Sequence, residues 1–250
     1  MPYPFGIDTA FGNLITATMA QQLDFAIPRI GTLGYGGVGT SSYFNKTLTV
    51  DSAFPLNVTN CQNANKPTGC YFFSYAWNDA SAIYEATKCC DALDSLGMSL
   101  ELPVWFDWEY DSDNRTTAAG VPVSNSALQS LTVAFMSKVN ERGRTAGWYA
   151  NMDYVYNKYG SAWTTARMAE NFYFWVAAWG GGADPPRTCD IWQYAGDVTW
   201  NGIDADLNYL IDERCVNGNI GKHFPRWLIA KLIQERTKQK KPYRTGVKIN

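Results

Sequence analysis

Along the first 210 residues, short apolar runs bounded by Gly, Pro, Asp or Asn alternate with longer stretches whose apolar positions recur at helical spacing. The runs predict strands at 4–8, 25–30, 69–75, 103–108, 146–150, 172–178, 190–194 and 205–210. The periodic stretches predict helices at 16–23, 79–96 and 125–142, the last opened by Ser124 as N-cap and closed by Gly143. Strand–helix alternation is the signature of βα units, and eight such strands in a chain of 250 residues predict a closed parallel barrel rather than an open sheet. Chemistry in such barrels sits at the C-terminal ends of the strands.

Charge divides the chain. Residues 1–221 carry 12 Lys/Arg against 22 Asp/Glu, a balance of −10, whereas 222–250 carry nine Lys/Arg and one acid, Glu235, a balance of +8. An acidic body does not present the basic face of a nucleic-acid binder. The expectation is therefore one α/β barrel domain over 1–215, followed by a basic extension over 216–250 with a helix at 224–239. That helix would either dock on the barrel or contact anionic polymers or an assembly partner. The opening MPYPFGIDTAFG has neither a positively charged n-region nor a long apolar run, and no 18-residue apolar stretch follows. Neither a secretory signal nor a membrane span is expected. Three sequons, at Asn45, Asn57 and Asn114, are read as chance matches.

Composition narrows the chemistry. The one histidine, His223, lies near the C-terminus, which excludes a Ser-His-Asp triad, an HExxH zinc site and a three-His zinc site. Any acid–base work falls to carboxylates, with Tyr, Lys and Cys as weaker candidates. No cofactor is called for. The cysteines at 61, 70, 89, 90, 189 and 215 show no CxxC spacing. Cys61 with Cys70 and Cys189 with Cys215 are placed to close loops, and all six serve equally well as free small hydrophobes. Aromatics reach 15%, a surplus suited to stacking on flat sugar faces as well as to core packing.

Carboxylates fall at the predicted strand ends: Asp8 on the first, Asp107 and Glu109 on a central one, Asp204 and Asp206 around the last. Because strand side chains alternate, Asp107 and Glu109 point the same way with Trp108 opposite, their Cα atoms about 7 Å apart. Two carboxyls whose environments drive their pKa values apart can divide the work of glycosidic cleavage. The blander readings are helix-cap or surface acids and a divalent-metal site. The apolar runs that precede the acids and the Tyr and Trp around them weigh against the first.

The ordered motifs Gly6-Ile7-Asp8, Phe25-Ala-Ile-Pro-Arg29, Gly69-Cys-Tyr71-Phe-Phe73-Ser-Tyr75-Ala76, Leu102-Pro-Val-Trp-Phe-Asp107-Trp-Glu109, Gly147-Trp-Tyr149-Ala-Asn151, Trp175-Val-Ala-Ala-Trp179, Ile191-Trp-Gln-Tyr194 and Asp206-Leu-Asn208 resemble glycoside hydrolase family 25, the muramidases of the cell-wall-degrading type. The resemblance spans about residues 4–210. It implies an irregular (β/α)8 TIM-like barrel that cleaves the β-1,4 bond between N-acetylmuramic acid and N-acetylglucosamine in bacterial peptidoglycan. Carried over by position, Glu109 would be the general acid, Asp107 would steady the substrate's N-acetyl group, and Asp8 and Asp206 would shape charge in the cleft. Tyr71 and Tyr149 would line the sugar subsites, with Phe73, Tyr75, Trp179, Gln193 and Tyr194 as further substrate-binding candidates. The family often has His after Tyr71, where Phe72 stands, and residues 31–67 match it poorly. A family 18 chitinase competes through Asp107-Trp-Glu109-Tyr110, but Trp105 and Leu102 stand where that motif needs aspartates. An inactive sugar-binding barrel also competes, and the presence of all four acids opposes it. Without a signal peptide, a phage-type lysin or a particle-borne wall hydrolase is the expected setting.

Overall fold

The computed structural model describes residues 3–170, 172–180, 184–185 and 187–212. The predicted tail helix, His223 and Cys215 lie outside the described residues. Nine strands occur in the order β1 (Phe5–Thr9), β2 (Phe25–Thr32), β3 (Thr49–Val50), β4 (Cys70–Phe73), β5 (Val104–Asp107), β6 (Ala146–Asn151), β7 (Tyr173–Ala177), β8 (Ile191–Trp200) and β9 (Ile203–Leu210). Between them run helices α1 (Ala17–Gln22), α2 (Phe54–Asn63), α3 (Asp79–Ser95), α4 (Tyr110–Ala118), α5 (Asn125–Glu141), the single turn α6 (Met152–Tyr154) and α7 (Ser161–Ala169).

Eight strands close a barrel, because β1 pairs with both β9 and β2, while β3 is a short flap on β2. All neighbours in the ring are parallel except β9, which runs antiparallel to both β8 and β1. The expected all-parallel barrel is thus corrected at its last strand. Asn201 and Gly202 both take positive φ, 49° and 86°, the backbone that a two-residue hairpin turn demands, so β8 folds straight back as β9.

The predicted helices form where their caps say they should. Thr16 accepts from the Met19 N–H, Asn78 from Ser81 and Ser124 from Ala127, and Gly143 takes φ 75° just past α5. Asn57, inside one of the sequons, is instead structural. It accepts from the Ile15 N–H at 2.7 Å and donates to the Asn13 carbonyl at 2.9 Å, tying α2 to the loop after β1.

Alternation along each strand sorts side chains between the barrel interior and the layers beneath the helices. Phe25, Ile27, Trp105, Tyr173, Ile191 and Leu210 point inward and plug the barrel. Phe72, Phe106, Trp108, Trp148 and Phe174 point outward beneath the helices, Phe72 against Phe135 of α5 with ring centroids 5.8 Å apart. Phe72 therefore belongs to the outer layer and not to the barrel mouth. Cys61, Cys70, Cys89, Cys90 and Cys189 are buried free thiols. The proposed Cys61–Cys70 closure is corrected because the two face different cores, Cys61 the α1–α2 layer and Cys70 the α3–α5 layer. Among the described residues no helix is long and apolar enough to cross a membrane.

Two interior glycines make room for the plug. A Cβ on Gly6 would sit 2.6 Å from the Phe25 ring, and one on Gly147 would sit 2.4 Å from Trp105 and 2.6 Å from the Tyr173 carbonyl oxygen. Backbone lies on one side of Gly147 and a fully enclosed indole on the other, so neither can yield cheaply. Gly147→Ala is expected to cost about 1–3 kcal/mol, as overpacking of a filled core does. The measurement is a lower urea midpoint at unchanged slope, and an unchanged midpoint contradicts the close packing.

Candidate active site

The mouth formed by the C-terminal ends of the parallel strands holds a cleft of about 200 Å³. Asp8, Asp107, Glu109 and Asp206 all line it, together with Tyr71, Phe73, Tyr149, Trp175, Gln193 and Arg29. Asp107 is the last residue of β5, and Trp108, one position on, faces the outer core. Glu109 keeps an extended backbone (φ −132°, ψ −174°), so the alternation carries one residue past the strand and returns its side chain to the cleft. There it is the N-cap of α4. Its N–H donates to the Ser112 hydroxyl at 3.2 Å, and that hydroxyl donates to the Ser74 carbonyl at 2.7 Å.

Opposite them, Asp8 on β1 and Asp206 on β9 are direct cross-strand partners, an arrangement that repels when both are ionised. The Gln193 side-chain amide sits between the two, donating to Asp8 at 2.9 Å and to Asp206 at 3.1 Å. Its carbonyl oxygen accepts from the Tyr149 hydroxyl at 3.1 Å and the Trp179 indole N–H at 3.0 Å. Asn208 donates to the same Asp8 oxygen at 2.7 Å and accepts from the Trp175 indole at 2.8 Å. A bulge in β8 gives Asp197 a φ of 54° and turns its N–H onto the second Asp206 oxygen at 2.7 Å.

Burial is the chief force on these carboxyls. It pushes Asp8 well above the usual carboxylate range, the Asp206 charge adds to the rise, and the Asn208 and Gln193 amides oppose it. Asp107 is likewise raised well above its ordinary value by burial, then by Glu109 and Asp8, with the Arg29 guanidinium opposing. Glu109 is raised by burial and the Asp206 charge against the nearby Tyr149 hydroxyl, and Asp206 is raised by burial. The Asp107 Oδ1 atom is buried without a hydrogen-bond partner among the described residues, an acceptor left open in the cleft.

Of the sequence-derived candidates, the four acids, Tyr71, Phe73, Tyr149 and Gln193 converge on this cleft. Trp179 stands at the rim, exposed, with its indole laid over Gly196. Tyr75 and Tyr194 do not reach the cleft. Tyr75 packs behind Phe73 and donates to Asp111 at 2.6 Å. Tyr194, one position from the inward Gln193, faces the other side of β8 and stacks on Tyr209 at 4.2 Å. Arg29, Trp175 and Asn208 belong to the site and were not among the candidates. Each stands two residues beyond an inward-facing position, so strand alternation would have found them. Among the described residues no group of three or more His, Cys, Asp or Glu side chains is arranged to hold a metal ion.

The sequence profile of the glycosyl hydrolases family 25 matches residues 40–203. Comparison with curated protein sequences finds no match. Among solved structures the chain is similar to the spore cortex lytic enzyme SleM of Clostridium perfringens, at 18% identity over 83% of this chain and 67% of that one (TM-score 0.63). It is similar also to GHIP, a glycosyl hydrolase 25 of Streptococcus pneumoniae, at 18% identity over 85% and 89% (TM-score 0.61). A third is the catalytic domain of endolysin ply40 from bacteriophage P40 of Listeria monocytogenes, at 15% identity over 85% and 95% (TM-score 0.58). At these identities the likeness is one of fold. The profile match contains Asp107 and Glu109, and the barrel's closure brings Asp8 and Asp206, outside it, to the same cleft.

Buried carboxyls also lie outside the cleft, Glu85 among them. Glu85 of α3 is pushed up to about 7 by burial, against three hydrogen bonds that favour its charged form. Raised carboxyls make the folded chain hold more protons than the unfolded one between the two sets of pKa values, so stability falls as pH rises through that interval. For Glu85 the interval runs from 4.5 to about 7. The melting temperature is expected to fall between about pH 5 and about pH 7.5, and Glu85→Gln to flatten part of that fall. Scanning calorimetry across this range checks it, and a melting temperature that rises with pH contradicts it.

Proposed function

The chain belongs to the glycosyl hydrolases family 25 and is a glycoside hydrolase, and from that premise we propose that it is a muramidase working with assistance from the substrate itself. It hydrolyses the β-1,4 bond between N-acetylmuramic acid and N-acetylglucosamine in bacterial cell walls. The observation that carries the mechanism is the open Asp107 Oδ1, buried beside a cleft of about 200 Å³ that Tyr71 and Tyr149 also line.

Glu109, whose carboxyl is raised above its ordinary value by burial and by the neighbouring Asp206 charge, gives its proton to the leaving glycosidic oxygen. The carbonyl oxygen of the substrate's own N-acetyl group attacks the anomeric carbon as that bond breaks. Asp107 in its ionised form, which the Arg29 guanidinium favours against burial, accepts the amide N–H and steadies the positive charge that forms on the nitrogen. Water, deprotonated by Glu109, then opens the cyclic intermediate. The scheme suits the geometry because both acids come from one strand end and enter the cleft from the same wall. An inverting pair needs carboxyls on opposite faces about 6.5–9.5 Å apart, and direct nucleophilic retention needs about 5–5.5 Å. Asp8 and Asp206 accept from the Gln193 and Asn208 amides, contacts that favour their ionised forms against burial and so favour negative potential in the cleft. The positive excess of residues 222–250 supports contact with anionic wall polymers, which the acidic barrel alone would repel.

Glu109→Gln keeps the shape and removes the proton donor. It is expected to lower kcat by about 10²–10⁴-fold on soluble peptidoglycan fragments with little change in binding. The first-formed anomer, followed by NMR, is expected to retain the β configuration. An inverted product rejects substrate assistance and makes Asp8 or Asp206 the base for a water.

A further inference from the structure

Glu85 has no part in the chemistry above and is not near solvent, yet its hydrogen bonds lead to the acid. Its carboxylate is fully buried on the inner face of α3. One oxygen accepts from the Tyr43 hydroxyl and from the Tyr75 N–H at 2.9 Å, and the other accepts from the Ser74 hydroxyl. The loop after β4 is thereby fastened to α3 on one side and to the 3-10 turn at Ser41–Asn45 on the other. Ser74 then serves two partners. Its N–H donates to the Asp107 carbonyl at 2.9 Å, and its carbonyl takes the Ser112 hydroxyl at 2.7 Å. Ser112 in turn receives the Glu109 N–H. Three bonds in series thus join a buried carboxylate of α3 to the backbone of the residue that carries the proton, with a branch to the backbone of its neighbour Asp107.

We propose that Glu85 is a positioning residue for Glu109 and Asp107, fixing through Ser74 and Ser112 where the helix α4 begins and so where the acid's side chain enters the cleft. The inference rests on the reading of Glu109 as the general acid. Burying a carboxylate is costly, and a well-packed apolar residue serves stability as well or better at such a place. What the carboxylate supplies and an apolar residue cannot is three directed acceptor contacts on one loop. Displacement of a reacting group by about 1 Å costs on the order of 10²-fold in rate.

The test compares Glu85→Ala, Glu85→Gln, Ser112→Ala and Glu109→Gln on soluble peptidoglycan fragments, with kcat expressed per folded molecule. Glu85→Ala is expected to lower kcat about 10- to 100-fold with KM within about twofold, and to move the alkaline limb of the kcat–pH profile that reports Glu109. Glu85→Gln, whose amide still accepts from Tyr43 or Tyr75 and meets the Ser74 hydroxyl with its N–H, is expected to restore most of the rate. If the Glu85 variants fail to fold, Ser112→Ala breaks the same chain without emptying the core and is expected to lower kcat and move the same limb. Unchanged kcat and an unmoved limb in the folded variants overturn the proposal, since a merely structural role lowers only yield or melting temperature. A Glu109→Gln enzyme that still turns over overturns the reading of the acid itself and the inference with it. An inactive Glu109→Gln beside a fully active Glu85→Ala overturns the inference alone.

Discussion

Asp8 and Asp206 face each other across neighbouring strands at the mouth of a barrel, with Asp107 and Glu109 on the far wall of the same small cleft. Four carboxyls lining so small a cleft repel one another and lose hydration, and much of the surrounding structure is arranged to offset that cost. The Gln193 amide lies between the first two, Asn208 shares one of their oxygens, and a bulge spends a left-handed residue, Asp197, to cap the other. These contacts exist only because β9 runs antiparallel. A parallel last strand reached by a helical crossover would not set Asp206 opposite Asp8 and Asn208 opposite Gln193 in one register.

Beneath the acids the barrel is filled by six aromatic rings, with Ile27, Leu102, Ile191 and Leu210 packed among them. Trp175 touches Tyr71, Trp105 and Tyr149 edge-on, at centroid distances of 6.0, 5.7 and 4.8 Å. Its indole N–H is spent on Asn208, so the floor of the cleft and the polar network above it are one connected structure. Such a floor resists the collapse that repulsion at the rim and a bound sugar would otherwise encourage, because stiff rings leave few alternative packings. Rigidity is a requirement of the proposed chemistry, since Glu109 and Asp107, its proposed acid and acetyl-steadying carboxylate, come from adjacent alternate positions and have no independent means of adjustment.

How far the sequence revealed this depends on whether each feature is local. The helices α3 and α5 were legible from periodicity and caps because both signals lie within a few residues. The shared direction of Asp107 and Glu109 followed from alternation alone. The direction of β9 was not legible from its apolar pattern, since a period of two carries no polarity. The signal that fixes it is the Asn201-Gly202 pair, which works through positive φ rather than hydrophobicity. Helix α4 escaped the pattern because Tyr110–Ala118 is almost wholly polar. It is held by partners distant in sequence, Tyr75 on Asp111 and Tyr154 on Asp113. Tyr194 and Gln193 show the resolution of motif reading: it marks a segment, and only the face of the strand says that Gln193 enters the cleft and Tyr194 does not.

The central claim is that this cleft cuts the glycan on the reducing side of N-acetylmuramic acid. The most direct measurement is mass spectrometry of purified peptidoglycan after digestion and borohydride reduction, which labels whichever sugar is left with a free reducing end. The account predicts reduced N-acetylmuramic acid at the new chain ends. Reduced N-acetylglucosamine, or free stem peptides with intact glycan, would contradict it.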